Sequence, residues 1–278
     1  FHQLAWMVWG ADLYNLPFLE TALYEEQTLK EYIKRKFSLH GFLYRAKVKL
    51  LHEPWKELAY AKVNNVLTWM KSEFDFARAH IASLKAQHQF FFYENGVPYQ
   101  ALDDIVKQSS LHAARQSRIY ILGNSSTPEL NHLDAVRLLQ EQGIQADIHI
   151  PLSYGDVRYR EFLKKSLAFY TGGDIRFLEK YMSFEEYVKS LSTSDGLIMN
   201  NIRPQGYGNI LIMMYLGKKV YLNHKNLSAP ELDRADLIWQ PINEMKLDRR
   251  LDWERNRTTV RKHLSHEFLL RTYGELFC

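Results

Sequence analysis

The sequence predicts an α/β protein of the doubly wound kind, with two Rossmann-like parts each built on a parallel sheet. Three observations predict it. Short apolar runs alternate with amphipathic stretches of roughly 10 to 15 residues, the pattern of βαβ units. Two of the strand runs end in small-residue loops that enter helices. The chain's 278 residues, 46% hydrophobic and 24% charged, are enough for two cores.

Taken in order, Leu4 to Trp9 reads as a buried strand closed by the turn Gly10-Ala11-Asp12. Residues 13 to 51 space Leu, Tyr and Phe three and four apart and read as helical. Pro54 to Tyr60 is a second helix, and Lys62 to Trp69 a β-branched strand. Ser72 to Leu84 is a helix with Ser72 as its N-cap, and Gln89 to Tyr93 a strand ended by Asn95-Gly96. Pro98 and the polar stretch to about Arg115 read as a linker or hinge.

A second cycle starts with the strand Arg118 to Leu122, the loop Gly123 to Thr127 and the helix Asn131 to Gln142. The strand Ile144 to Pro151, the helix Asp156 to Ala168 and a helix carrying Phe184 to Val188 follow. Asp195 to Asn200 is a strand, Ile210 to Leu216 an apolar helix and Lys219 to Asn223 the last strand. This divides the chain into an N-terminal Rossmann-like part over 1–105, a C-terminal Rossmann-like part over 117–248 and a helical tail over 249–278. Because the chain opens on Phe1, directly on a strand and without a methionine, an N-terminal portion is expected to be missing.

Composition narrows the function. A net charge of +4 does not call for a nucleic-acid partner. The one cysteine, Cys278, leaves no internal disulfide and no Cys-based zinc site, as suits a reducing cytosol. The longest apolar run, Ile210 to Leu216, is far short of the ~20 residues of a membrane span. His263 and His266 lack a third ligand, and no Asp-x-Asp is present to hold a metal-bridged diphosphate. No metal is therefore expected, and charge stabilisation falls to backbone dipoles and arginine.

Two loops carry the binding signal. Gly123, Asn124 and Ser125 leave a strand and precede Asn131 and His132 at a helix start, so backbone amides and the helix dipole are placed to face an anion. A tight, capped βα turn is the competing reading. In Arg203-Pro204-Gln205-Gly206-Tyr207-Gly208-Asn209 the glycines permit close approach, Arg203 can fork onto a phosphate, Gln205 can bond a sugar or phosphate oxygen, and Asn209 can cap. Both loops would meet in the crevice at the carboxyl ends of one sheet, which suggests a nucleoside diphosphate ligand. Neither matches a dinucleotide fingerprint or a P-loop. Asp12, directly after the first strand, is either a base for an acceptor hydroxyl or a helix N-cap. Lys34, Arg35 and Lys36 lie in the basic and apolar segment Lys30 to Lys49, which suits an anionic membrane surface or a solvated face.

These residues, in order, resemble a known family. WGADLY from Trp9, ILGNSS from Ile121 with Asn131-His132, IPLSYGD from Ile150, FEEYVKSL from Phe184, RPQGYGN from Arg203 and GKKVYLN from Gly217 resemble the bacterial 4-alpha-L-fucosyltransferase family, glycosyltransferase family 56. The resemblance implies a GT-B fold with the first Rossmann-like part incomplete, donor contacts at the two loops and at Tyr154, and no metal requirement. It implies transfer of an N-acetylfucosamine-like deoxyamino sugar from a dTDP-sugar to a polyprenyl-diphosphate-linked saccharide, in enterobacterial common antigen-like surface polysaccharide synthesis. The expected place is the cytoplasmic face of the bacterial inner membrane. Pro204 and Asn209 depart from the family loop, leaving the sugar open. A nucleotide-binding remnant, a transferase of other sugar specificity and a sugar epimerase are the alternatives, the last disfavoured by the missing dinucleotide fingerprint.

Overall fold

A computed structural model describes residues 3–16, 19, 21–33, 54–91, 99–109, 118–248, 251–263, 270–271 and 273–274. The segment with Lys34, Arg35 and Lys36 lies outside the described residues, as does part of the expected terminal tail.

Two parallel sheets form, as the alternating pattern requires. The first has the order β1 (Ala5–Met7), β2 (Asn65–Thr68), β3 (Gln87–Phe90), with Ala5 paired to Asn65 and Asn65 to Gln87. Helix α1 (Ala11–Tyr14) accompanies it, α2 (Glu26–Thr28, running into a π-turn at Leu29–Ile33) follows α1 in the chain, and α3 (Pro54–Lys62) and α4 (Lys71–His80) again accompany the sheet. The helix expected over 13–51 is corrected over its described part, residues 34–51 lying outside the described residues: after α1, Leu16, Leu19 and Leu23 enter the core beneath the first sheet from turns. Their three- and four-residue spacing reflects burial from an irregular segment, because tertiary packing outweighs helical period over short stretches. Ser72 does not cap α4. Met70 stands at the N-cap, and the Ser72 hydroxyl donates to the carbonyl of Leu227 on the other part of the molecule.

The second sheet has six strands in the order β6 (Ile175–Leu178), β5 (Asp147–Pro151), β4 (Ile119–Leu122), β7 (Gly196–Met199), β8 (Lys219–Leu222), β9 (Gln240–Pro241). Every pairing is parallel. Between them run α6 (His132–Glu141), α7 (Val157–Ser166), α8 (Phe184–Ser192), α9 (Tyr207–Tyr215) and α10 (Ala229–Arg234). The central strands are apolar on both faces since helices cover both. Edge strand β6 is only half-buried, so its apolar signal is too weak to read from sequence.

The expected hinge at Pro98 to Arg115 is corrected over its described part. Residues Tyr99–Ser109 form a helix, α5, with Leu102 fully buried in the core of the second sheet. Asp103 of α5 accepts hydrogen bonds from the Tyr215 hydroxyl and Arg261, both at 2.5 Å. The described tail is α11 (Arg255–His263), which buries Val260, while Arg257 Nε donates to the Tyr215 carbonyl. Polar residues at 98–115 thus conceal an amphipathic helix whose partner comes from elsewhere in the chain.

Residues 24–33 leave the first sheet and dock on the second. Asp134, in the first turn of α6, accepts from the backbone amides of Gln27 (2.6 Å) and Thr28 (2.9 Å) and from the Thr28 hydroxyl (2.6 Å). Its carboxylate therefore ties α2 to α6, and burial still pushes its pKa upward against those bonds. Tyr32 and Ile33 are buried in the second core. The two sheets are held in one arrangement, and a cleft is left between them.

Candidate functional site

The cleft has a volume of about 380 Å³. Its first-sheet wall comes from the ends of β1 and β2, from α1 and from the first turn of α4, with Val8, Trp9, Tyr14, Trp69 and Glu73; the facing wall is the run Arg203 to Gly208. Parallel strands of both sheets end here, so the floor is built from strand carboxyl ends and helix amino ends.

The second wall follows from local chemistry. Gly206, at the N-cap of α9, has φ +72°, and a Cβ there would lie 2.6 Å from Met199 Cε and 3.2 Å from Asn124. Glycine suits that turn, whose left-handed backbone and close neighbours disfavour a side chain. Helix α9 then begins with Tyr207 and Gly208, whose amides belong to the donors that a helix's first turn leaves unbonded. Gly208 differs in kind: its φ is unremarkable and an added Cβ would meet nothing within 4 Å. No protein contact explains this glycine, and the space above it opens on the cleft. The Arg203 guanidinium bonds Gln205 Oε1 through Nε (3.0 Å) and Nη2 (2.6 Å) and sits 5.9 Å from the centre of the Tyr14 ring. Asn209 falls in the third position of α9, so the expected cap at Asn209 is corrected to Gly206.

The Gly123 loop is adjacent, as expected from two loops at one sheet end, but it lies behind the Arg203 loop and does not line the cleft. Asn124, Ser125 and Ser126 are buried. Ser125 Oγ meets Thr127 Oγ1 at 2.7 Å and receives Gln205 Nε2 at 3.3 Å. Asn124 Nδ2 donates to the Tyr154 hydroxyl at 2.8 Å, while its Oδ1, behind Gly206, has no hydrogen-bond partner. Tyr154 itself is largely exposed, and Ser126 pairs with Gly155 beside it. Asn124 and Ser125, with Gly123 before them, therefore support the Arg203 loop in this arrangement.

Asn131 and His132 are corrected more firmly. Asn131 is 0% exposed, and its amide is spent on protein: Nδ2 donates to the carbonyls of Leu23, Glu129 and Asn200, and Oδ1 accepts from the Glu25 amide. It joins the docked segment to the second sheet through an asparagine chain, for Asn200 accepts from Asn223 and Asn223 donates to Glu25. His132 is wholly buried, with Nδ1 3.3 Å from the Tyr159 hydroxyl. Burial pushes its imidazole down to about 3, so it is neutral near pH 7 and offers no charge to a phosphate.

Asp12 is neither the expected N-cap, a position held by Gly10, nor part of the cleft lining. Its Oδ2 accepts from the Trp6 indole (2.7 Å) and its Oδ1 from the Trp9 amide (3.0 Å). Those bonds fix the strand-to-helix turn that presents Trp9, which is 65% exposed at the cleft edge. The carboxylate that does line the cleft is Glu73, unrecognised from sequence because a glutamate in an amphipathic helix ordinarily faces water. Its position just past a strand end was the available signal.

A family model for the 4-alpha-L-fucosyltransferases, glycosyl transferase group 56, matches residues 43–256, which includes the cleft's Arg203 loop and Glu73. The chain belongs to this family. Similar solved structures include a sucrose-phosphate synthase from Thermosynechococcus elongatus, with 13% identity and a TM-score of 0.58 over 80% of this chain and 59% of that one. The apo form of OtsA gives 13% identity and a TM-score of 0.52 over 78% and 61%. The N-terminal domain of Candida albicans trehalose-6-phosphate phosphatase gives 9% and 0.50 over 78% and 57%. These likenesses show the fold, the α/β GT-B architecture with parallel sheets. The group 56 chain spans less than two thirds of the length of each of these three structures.

Proposed function

We propose that the protein is a glycosyltransferase that binds a nucleoside-diphosphate sugar in the cleft, the diphosphate lying against Arg203, Tyr207 and Gly208. The observation that carries this reading is Gly208, a glycine with no steric reason within the protein, at the amino end of a nine-residue helix and beside an arginine. Backbone amides and the helix dipole favour an anion there. Group 56 membership and the sequence resemblance support a dTDP-sugar donor carrying an N-acetylfucosamine-like sugar and a polyprenyl-diphosphate-linked saccharide as acceptor.

In this reading the acceptor hydroxyl forms the new bond to the anomeric carbon, and the bond from that carbon to the diphosphate oxygen breaks. The electron pair leaves with dTDP. Arg203 and the α9 amides stabilise the charge that develops, in a site partly shielded from water. Trp9 offers a flat apolar face to a sugar ring.

Calorimetry with dTDP, UDP and NAD tests the donor assignment. Arg203→Ala removes a charge-assisted hydrogen bond of about 1.5–3 kcal/mol and is expected to weaken dTDP binding roughly tenfold to a hundredfold. Equal dTDP affinity in parent and variant contradicts the assignment, and preferential NAD binding favours an epimerase. Transfer, assayed as dTDP released, is expected to persist in EDTA because arginine and amides act on the leaving group. Loss of transfer that added magnesium or manganese restores would show that a metal does this work.

A further inference from the structure

Among the described residues that line the cleft, Glu73 is the only acid. It sits in the first turn of α4 but does not accept from the amide of the N-cap residue Met70, which donates to the Thr68 hydroxyl instead. Instead Oε1 accepts from the Tyr14 hydroxyl at 3.0 Å and Oε2 from the Thr68 hydroxyl at 2.7 Å. The residue is 6% exposed and lines the cleft. Tyr14 is also the ring beneath Arg203, so one side chain joins the wall assigned to the donor with the carboxylate opposite.

We propose that Glu73 is the general base of the transfer, the group that takes the acceptor's proton. This rests on the donor assignment above. As the acceptor oxygen bonds to the anomeric carbon and dTDP departs with its electron pair, the hydroxyl proton passes to Glu73, and the Tyr14 and Thr68 hydroxyls continue to donate to the carboxyl group. Of the other acids, Asp12 is directed to Trp6 and Trp9 and does not line the cleft.

The titratable and charged groups around Glu73 are Tyr14 and Asp12 from α1, Arg203 from the facing loop and His88 on β3, whose Nε2 lies 2.9 Å from the Thr68 carbonyl. Burial dominates and holds the carboxyl above its ordinary value of 4.5, against the two hydroxyl donors, with the Asp12 charge adding to the rise. A base acts in its deprotonated form, so turnover falls as pH drops through this raised value. The acid limb stands above that of an ordinary carboxylate.

The test pairs nucleotide binding with turnover. A diphosphate entering the cleft raises the pKa of a neighbouring carboxylate, so dTDP binding is expected to take up protons, seen by calorimetry in buffers of different ionisation enthalpy. Glu73→Gln is expected to bind dTDP at least as tightly as the parent, take up no proton and lose roughly a hundredfold or more of dTDP release in the presence of acceptor. Tyr14→Phe, which removes a donor to the carboxylate, is expected to move the acid limb to higher pH. Proton uptake that persists in Glu73→Gln, a parent that binds dTDP without uptake, or Glu73→Gln turnover within tenfold of the parent overturns the base assignment. No dTDP binding by the parent overturns the donor assignment instead. The linkage measurement needs no acceptor and tests by itself whether Glu73 lies beside the bound diphosphate.

Discussion

Asn131→Ala is expected to destabilise the protein by about 3–5 kcal/mol, the largest loss from any single truncation in the docked interface. The amide makes four hydrogen bonds, to Leu23, Glu25, Glu129 and Asn200, at a fully buried position. Truncation leaves their backbone groups without a partner in a place water does not reach, at about 1–3 kcal/mol for each group that stays unpaired. Asn131 also holds φ +49°, a left-handed conformation that asparagine tolerates better than alanine. Asn131→Gly separates the two contributions, because glycine accepts the backbone conformation but restores no hydrogen bond. Urea or thermal unfolding is expected to rank the variants parent, then Gly, then Ala. A loss below about 1 kcal/mol for Asn131→Gly would show that the network contributes little.

Substitution of Gly208 is expected to do the opposite, removing ligand binding while sparing the fold. An alanine Cβ there meets no protein atom, and alanine favours a helix over glycine by about 0.8–1.0 kcal/mol, so Gly208→Ala should unfold no earlier than the parent. The same methyl group occupies the space assigned to the diphosphate. Affinity for dTDP is expected to fall roughly tenfold in Gly208→Ala and a hundredfold or more in Gly208→Val, equivalent to about 1.4 and 2.7 kcal/mol. Parent-like dTDP affinity in both variants would place the phosphates elsewhere.

These predictions differ in how far the sequence announces them. Arg203 and the glycines after it are legible because few structures need that combination at a strand end. The sheets are legible because runs such as Ile119 to Leu122 are apolar on both faces. Leu102 is not, since α5 is recognised only once the surface it packs on is known. The same holds for Asn131, Asn200 and Asn223: asparagines after strands read as caps and turns, and only docking of residues 24–33 turns them into a buried chain. Glu73 and Asp12 both follow strands, and sequence alone does not say which carboxylate Trp6 and Trp9 engage. Tertiary contacts fix that choice.

The central claim is that the donor diphosphate rests on the first turn of α9. A larger cavity of about 1110 Å³ lies at the opposite, amino ends of β4 and β5, lined by Arg118, Asp147, Gly172 and Lys246 among others. Its size does not recommend it, because parallel sheets present their helix amino ends at the other edge. A crystal structure of the protein with dTDP tests the claim most directly. The account predicts diphosphate oxygens within hydrogen-bond distance of the Tyr207 or Gly208 amide and of the Arg203 guanidinium. Nucleotide bound in the Arg118 cavity, or with its phosphates away from Gly208, would contradict it.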